Sequence, residues 1–265
     1  MSVPTFDWTG EVTAAHRQAY EEVGAVRFKG FAPPREVAAL RVGLDALSDR
    51  WVGEDRRFVH GIPIKYGQRS GQRFVQRFAF TSLHSPAFAE LMKSGRFEAV
   101  RAMFGDEFRV GELEKDGVVV NHYRNDEGSR YTRLGWHTDG LRDLFYCRLP
   151  GPMVNVGLYL DDSPEENGAL RILPGTHRQG FRSMCLRKAY FVDHRADPDE
   201  CVVEASAGDL TLHDGRLWHR VARSERTGDA STRRTAYVPV LCGPSVIKTE
   251  SSPTPFYHRF QWITG

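Results

Sequence analysis

In the segment LGWHTDG, His137 and Asp139 stand two residues apart, so an extended backbone would send both side chains out on one face, where they can converge on one ion. A single His-x-Asp triplet is common enough by chance to mean little. A further ligand is offered by GDLTLHDGRLWHRVA, where His219 shares a strand face with Leu217 and Val221 while Trp218, Arg220 and Ala222 fall on the other. That parity points His219 inward. His213 is the rival, but it adjoins Asp214-Gly215 and reads as strand end and turn. Two histidines and one carboxylate are a facial ligand set for Fe(II), gripping the ion from one side and leaving three positions open for chemistry. A structural zinc site would close all four positions, usually with thiolates, and no cysteine lies in these motifs.

A co-substrate beside such an ion needs its own anchor, and STRRTAYVPV follows shortly after His219. If Arg234 faces inward, so do Ala236, Val238 and Val240; the opposite phase buries Arg233 with Thr235, Tyr237 and Pro239, a poorer core face. Arg234 is therefore the expected buried guanidinium. It would need a carboxylate to offset its desolvation, and with no obvious protein mate in sequence a ligand carboxylate fits. A second cationic stretch runs from Arg56 to Ala89 without one Asp or Glu, and Gln-Arg recurs within it at 68, 72 and 76. A period of four would align Arg69, Arg73 and Arg77 on one helical face, although Gly67 and Gly71 weaken the helix. The stretch is either a solvated basic surface or an arginine-lined way in for an anionic substrate.

The elements that must position these groups change character along the chain. Residues 11 to 22 read as a helix stopped at Gly24, AVRFKGF as a short strand, and Pro33-Pro34 as the opening of a second helix with Val37, Leu40, Leu44, Leu47 and Trp51 on one apolar face. Beyond residue 108 come short apolar runs punctuated by Gly, Pro, Asp and Asn: 117 to 123, 153 to 160, 169 to 173, 201 to 204, 209 to 213, 217 to 222 and 234 to 241. Many short strands predict a jelly roll or barrel. The simplest organisation is one domain over 1-265, with a helical cover and substrate-side elements at 1-107, the core at 108-241 and a C-terminal segment at 242-265.

Composition excludes several classes. At 265 residues with 40% hydrophobic and 26% charged side chains, the chain is neither disordered nor fibrous. A net charge of +2 argues against nucleic-acid or anionic-membrane binding by bulk electrostatics. Cys147, Cys185, Cys201 and Cys242 form no CxxC pair, the opening residues have no signal-peptide pattern, and no apolar run is long enough to span a bilayer. These features predict a soluble cytoplasmic protein, a monomer or homodimer, acting on a small molecule.

Taken in order, His137-x-Asp139, ENGALRILPGTH at 166 to 177, GDLTLHDGRLWH at 208 to 219, and Arg234 followed by Thr235-Ala236 resemble the phytanoyl-CoA hydroxylase-like Fe(II)/2-oxoglutarate dioxygenases. The resemblance covers about 110 to 241 well and the opening at 11 to 50 more loosely. It implies a double-stranded β-helix (jelly roll) with iron held by His137, Asp139 and His219, and with Arg234 pairing the distal carboxylate of 2-oxoglutarate. It also implies a co-substrate contact at Asn121, and it makes His177 of PGTH a turn residue. The linker RVARSERTGDAST is longer than the family's usual one, which leaves Arg233 open as an alternative to Arg234. By the same resemblance, O2 and 2-oxoglutarate are consumed, and succinate and CO2 released, as a substrate C–H bond is hydroxylated. Related halogenases lack the carboxylate, so Asp139 favours hydroxylation, desaturation or ring formation. Trp136, Phe145, Tyr146 and Tyr159 are aromatic candidates for the pocket wall or for plain core packing. The alternatives are a metal-dependent hydrolase using the same three ligands, and a non-catalytic jelly-roll binding protein.

Overall fold

A computed structural model describes residues 2–129, 131–146, 151–256 and 258. Cys147 and the end of the C-terminal segment lie outside the described residues, as do the side chains of Phe145 and Tyr146. Helix α1 (Ala14–Val23) starts where the Thr13 hydroxyl accepts from the His16 amide, and it stops at Gly24, whose φ of 86° is the left-handed conformation glycine adopts without strain. Helix α2 (Pro34–Gly53) has proline in its first turn and buries Val37, Leu40, Leu44, Leu47 and Trp51, the face read from the spacing.

The strands form two main sheets. Across the large one the order is Thr5–Asp7, Ala25–Lys29, Leu210–Asp214, Met153–Tyr159, Arg233–Cys242, Val119–Tyr123, Gln72–Phe78 and Lys65–Arg69, with Phe108–Val110 also on Arg233–Cys242. The small sheet runs Cys201–Val203, Leu170–Ile172, His219–Val221, Leu134–His137. The expected strands beyond residue 108 all form, and the two sheets make the jelly roll. The large sheet also recruits strands from the N-terminal part, among them Lys65–Arg69 and Gln72–Phe78.

Period two sorts the residues of the large sheet cleanly. Val154, Val156, Leu158, Leu210, Leu212, Ala236, Val238 and Val240 join α2 residues such as Leu40 and Leu44 in the principal apolar core. The main core thus lies between the sheet and its helical cover. The alternate residues face the small sheet, and they include Asn121, Asn155, His213 and Tyr237, which line a cavity.

The basic stretch differs from the helical expectation. Lys65–Arg69 and Gln72–Phe78 are an antiparallel hairpin with Arg69 opposite Gln72, because Ser70 and Gly71 turn the chain at positive φ. Its guanidiniums therefore diverge: Arg69 pairs with Asp229 at 3.2 Å, Arg73 with Asp55 at 2.5 Å, and only Arg77 turns inward, to Asp116 at 2.6 Å.

Candidate metal centre and its cavity

His137 and His219 lie directly opposite one another on paired strands, which brings their ring centroids to 4.0 Å. Each ring is held from behind. The Nδ1–H of His137 donates to the Gly135 carbonyl at 2.8 Å and that of His219 to the Leu217 carbonyl at 2.9 Å, so both Nε2 lone pairs face the cavity. Asp139 is buried, with Oδ2 3.6 Å from His219 Nε2 and accepting from Asn155 Nδ2 at 2.5 Å. One ligand atom from each of His137, Asp139 and His219 lies within 4.8 Å of the others.

A further contact fixes the His-bearing strand. Trp136 exchanges backbone hydrogen bonds with the segment 191–193, and a Cβ at Gly135 would meet the Phe191 carbonyl oxygen at 2.2 Å. Glycine is required there by close approach. Phe191, itself at a φ of 62°, stacks on His137 at 4.7 Å and walls one side of the cavity.

The electrostatics suit a cation. Burial pushes His137 down to about 4 and His219 well below its usual value, so both imidazoles are neutral donors near pH 7. Burial would raise the Asp139 carboxyl, but His213, His219, His137 and Arg142 together hold it well below the usual range. A buried carboxylate between two neutral imidazoles is a donor set that a divalent ion completes, and iron(II) suits this one.

His213 is not the turn residue expected. It lies inside Leu210–Asp214 with the inward parity of Thr211, is 1% exposed, and places Nε2 3.6 Å from Asp139 Oδ2. Neither of its ring nitrogens has a hydrogen-bond partner among the described residues. Asn155 went unread as well, although a lone amide within MVNVGLY was the available signal. His177 does occupy a turn, its Nε2 bonded to the Glu21 carbonyl at 3.0 Å. Tyr159 is buried on the cavity-side face of its strand, and Trp136 packs with Leu173 and Trp218 in a small separate core.

The arginine expectation is corrected. Arg234 faces out of the jelly roll, forked onto Asp161 at 2.8 and 3.0 Å with Asp45 at 3.3 Å, so its carboxylates come from the protein. The apolar residues of its phase do go into a core, but the one beneath the helices. Arg233 takes the inner face, 3% exposed, its Nη atoms donating to the carbonyls of Asn167, Thr132 and Ala222 and its guanidinium 4.9 Å over the Tyr123 ring. Burial lowers it to about 10, which still leaves it cationic at neutral pH. Its Nε is buried without a hydrogen-bond partner among the described residues, and the buried hydroxyls of Tyr159 and Thr211 neighbour one another. Asn121 lines the cavity, its Oδ1 accepting from the Tyr131 hydroxyl at 3.3 Å.

The cavity beside the triad measures about 350 Å³, within the range of small-molecule sites. Its lining also includes Lys65, Arg77, Lys115 and Arg142, with Asp116 between Arg77 and Arg142 at 2.6 and 3.0 Å and Arg142 reaching to 3.9 Å from Asp139 Oδ1.

A jelly roll with an inward two-histidine, one-carboxylate cluster and open space beside it defines the non-haem iron oxygenase class. The chain belongs to the phytanoyl-CoA dioxygenase (PhyH) family, whose profile matches residues 20–235. It is 21% identical over 220 residues to a probable alpha-ketoglutarate-dependent hypophosphite dioxygenase of Stutzerimonas stutzeri, covering 78% of this chain and 71% of that one. Among solved structures, AviO1 from Streptomyces viridochromogenes Tue57 superposes with a TM-score of 0.65 at 20% identity, covering 88% of this chain and 97% of that one. HygX from Streptomyces hygroscopicus, solved with nickel and 2-oxoglutarate bound, gives a TM-score of 0.60 at 20% identity over 87% of each chain. Among the described residues no helix is long and apolar enough to cross a membrane.

Proposed function

We propose that this protein is a single-domain cytoplasmic Fe(II)/2-oxoglutarate-dependent oxygenase that hydroxylates a C–H bond of a small anionic metabolite. The observation that supports it best is the convergence of His137, Asp139 and His219 within 4.8 Å on one wall of the cavity. These three would hold the iron. With 2-oxoglutarate and O2, the iron supplies the oxidising power for C–H hydroxylation, with release of succinate and CO2.

The chain's own residues do the rest. The backbone bonds at Nδ1 of His137 and His219 keep each Nε2 aimed and burial keeps the rings neutral, while Asn155 and His213 crowd Asp139 Oδ2 and limit its rotation. Arg233 replaces Arg234 as the group for the distal carboxylate of 2-oxoglutarate. An anion there would meet its Nε, which has no hydrogen-bond partner among the described residues, and the neighbouring hydroxyls of Tyr159 and Thr211 offer further donors. Asn121 is kept as a co-substrate contact because its amide faces the same cavity. Phe191 and Tyr190 close the triad off from water.

The anionic substrate rests on the four cations, Lys65, Arg77, Lys115 and Arg142, that line the cavity. Asp116 pairs with Arg77 and Arg142 and Asp143 with Lys115, and the similar protein is named for hypophosphite, a small oxyanion. The described cysteines, Cys185, Cys201 and Cys242, are free thiols, which suits a reducing compartment.

Anaerobic addition of Fe(II) and 2-oxoglutarate is expected to give the weak visible metal-to-ligand charge-transfer band, and small carboxylates or phosphonates are then expected to stimulate succinate release. No band from a folded, iron-loaded sample would overturn the reading.

A further inference from the structure

Far from the cavity triad in sequence, His60, His84 and Glu250 present one ligand atom each within 4.8 Å of one another, the same spacing limit that the triad meets. Three separate segments supply them. His60 is at the tip of the hairpin joining Phe58–Val59 to Ile62–Pro63, His84 ends the short helix Thr81–His84, and Glu250 belongs to the turn near 249–252. His60 Nε2 stands 3.5 Å from Glu250 Oε1. Its Nδ1, and Nε2 of His84, are buried without a hydrogen-bond partner among the described residues.

We propose that His60, His84 and Glu250 form a second metal site, for a borderline divalent ion such as zinc(II), with water as the remaining ligand. Two imidazoles and a carboxylate suit zinc, and the exposed side of Glu250 leaves room for the water. Tetrahedral zinc wants ligand atoms about 3.3 Å apart, so the side chains need close by no more than about 1.5 Å. Burial, then the nearby Arg56, lowers His84, which leaves its imidazole neutral and ready to bind. Arg56 is the competitor, 3.1 Å from Glu250 Oε1, but it also reaches Glu54 at 3.9 Å and the Phe58 carbonyl at 3.3 Å, so it need not be stranded when Glu250 turns to a metal.

The site would act as a clip. The Glu250 turn packs on the hairpin so closely that a Cβ at Gly61 would lie 2.3 Å from the Ser252 carbonyl oxygen, and the same segment leads on to His258, which lines the reaction cavity. A metal here would pin the C-terminal segment against the wall of that cavity.

The test uses the full chain carrying Asp139→Ala and His219→Ala, which empties the first site and makes the outcome independent of any oxygenase activity. Equilibrium dialysis against micromolar zinc is expected to give one bound equivalent and a raised melting temperature, and cobalt(II) is expected to show tetrahedral visible absorption. Adding Glu250→Gln or His60→Asn is expected to weaken binding at least tenfold; asparagine keeps the left-handed turn, where His60 has a φ of 47°, so misfolding is not an escape. No zinc retained by the double variant, or retention unchanged by both further substitutions, would refute the site.

Discussion

Asp139 concentrates the chemistry of the site at one carboxylate, approached by two histidines of the cluster, by His213 and by Asn155. Replacing it with alanine is expected to lower turnover at least a thousandfold while leaving the fold intact, as followed by succinate formation and circular dichroism. The two adjacent arginines give a sharper contrast. Arg233→Met is expected to raise the KM for 2-oxoglutarate at least tenfold, since a charge-assisted contact through Nε is lost. Arg234→Gln should leave that KM unchanged and cost about 1 kcal/mol of stability, because Asp161 keeps Arg41 at 3.1 Å. Equal KM effects from the two would contradict the assignment. The residue types that could ligate a metal were legible because chemistry restricts them: a His-x-Asp triplet alone is common, but one followed by an inward histidine and the further motifs in order is uncommon. His213 was not, since an Asp-Gly neighbour signals a turn without revealing that the strand runs one residue into it.

At the scale of elements, the Leu134–His137 strand works as a ligand arm because the segment around Phe191 is laced to its outer edge. Gly135→Ala would drive a methyl into the Phe191 carbonyl and displace the ring stacked on His137. The expected result is a loss of about 1–3 kcal/mol in stability and a tenfold or greater drop in iron affinity, measured by denaturant melts and by metal titration. A normal affinity would show that the strand holds its ligands without this support. The short strands were readable from alternation and turn residues. The Lys65–Phe78 hairpin was not, because the four-residue recurrence of Gln-Arg satisfies a helical face and also keeps parity on a strand.

Across the whole molecule, Asp116 ties two of the cavity's cations together while 2% exposed, bonded to Arg77 and Arg142. Burial would raise its carboxyl, but Arg142 and Arg77 hold it far below the ordinary carboxylate range. A carboxyl depressed on folding stabilises fully above its unfolded value of about 3.9, and the contribution fades as pH falls below that toward the folded value. Asp116→Asn is therefore expected to cost about 3 kcal/mol at pH 7, with the gap to the parent chain narrowing below about pH 4 in urea titrations. A gap independent of pH would place the loss in packing. Lys65 lines the same cavity with its amine pushed by burial, and by Arg77, to about 7. Affinity for an anionic substrate is expected to fall between pH 7 and 9, as that lysine sheds its proton, when KM is followed across the range.

By itself the sequence determined what is local: the ligand types and their two-residue spacing, the alternation of the core strands, and the apolar face of α2. Only the tertiary structure decided which face of Arg233–Cys242 looks into the jelly roll. Alternation says that two faces differ, but here the more apolar one is covered from outside by helices and the more polar one encloses the reaction space. The carboxylates that claim Arg234, Asp161 and Asp45, lie 73 and 189 residues away in sequence, a pairing that no local pattern encodes.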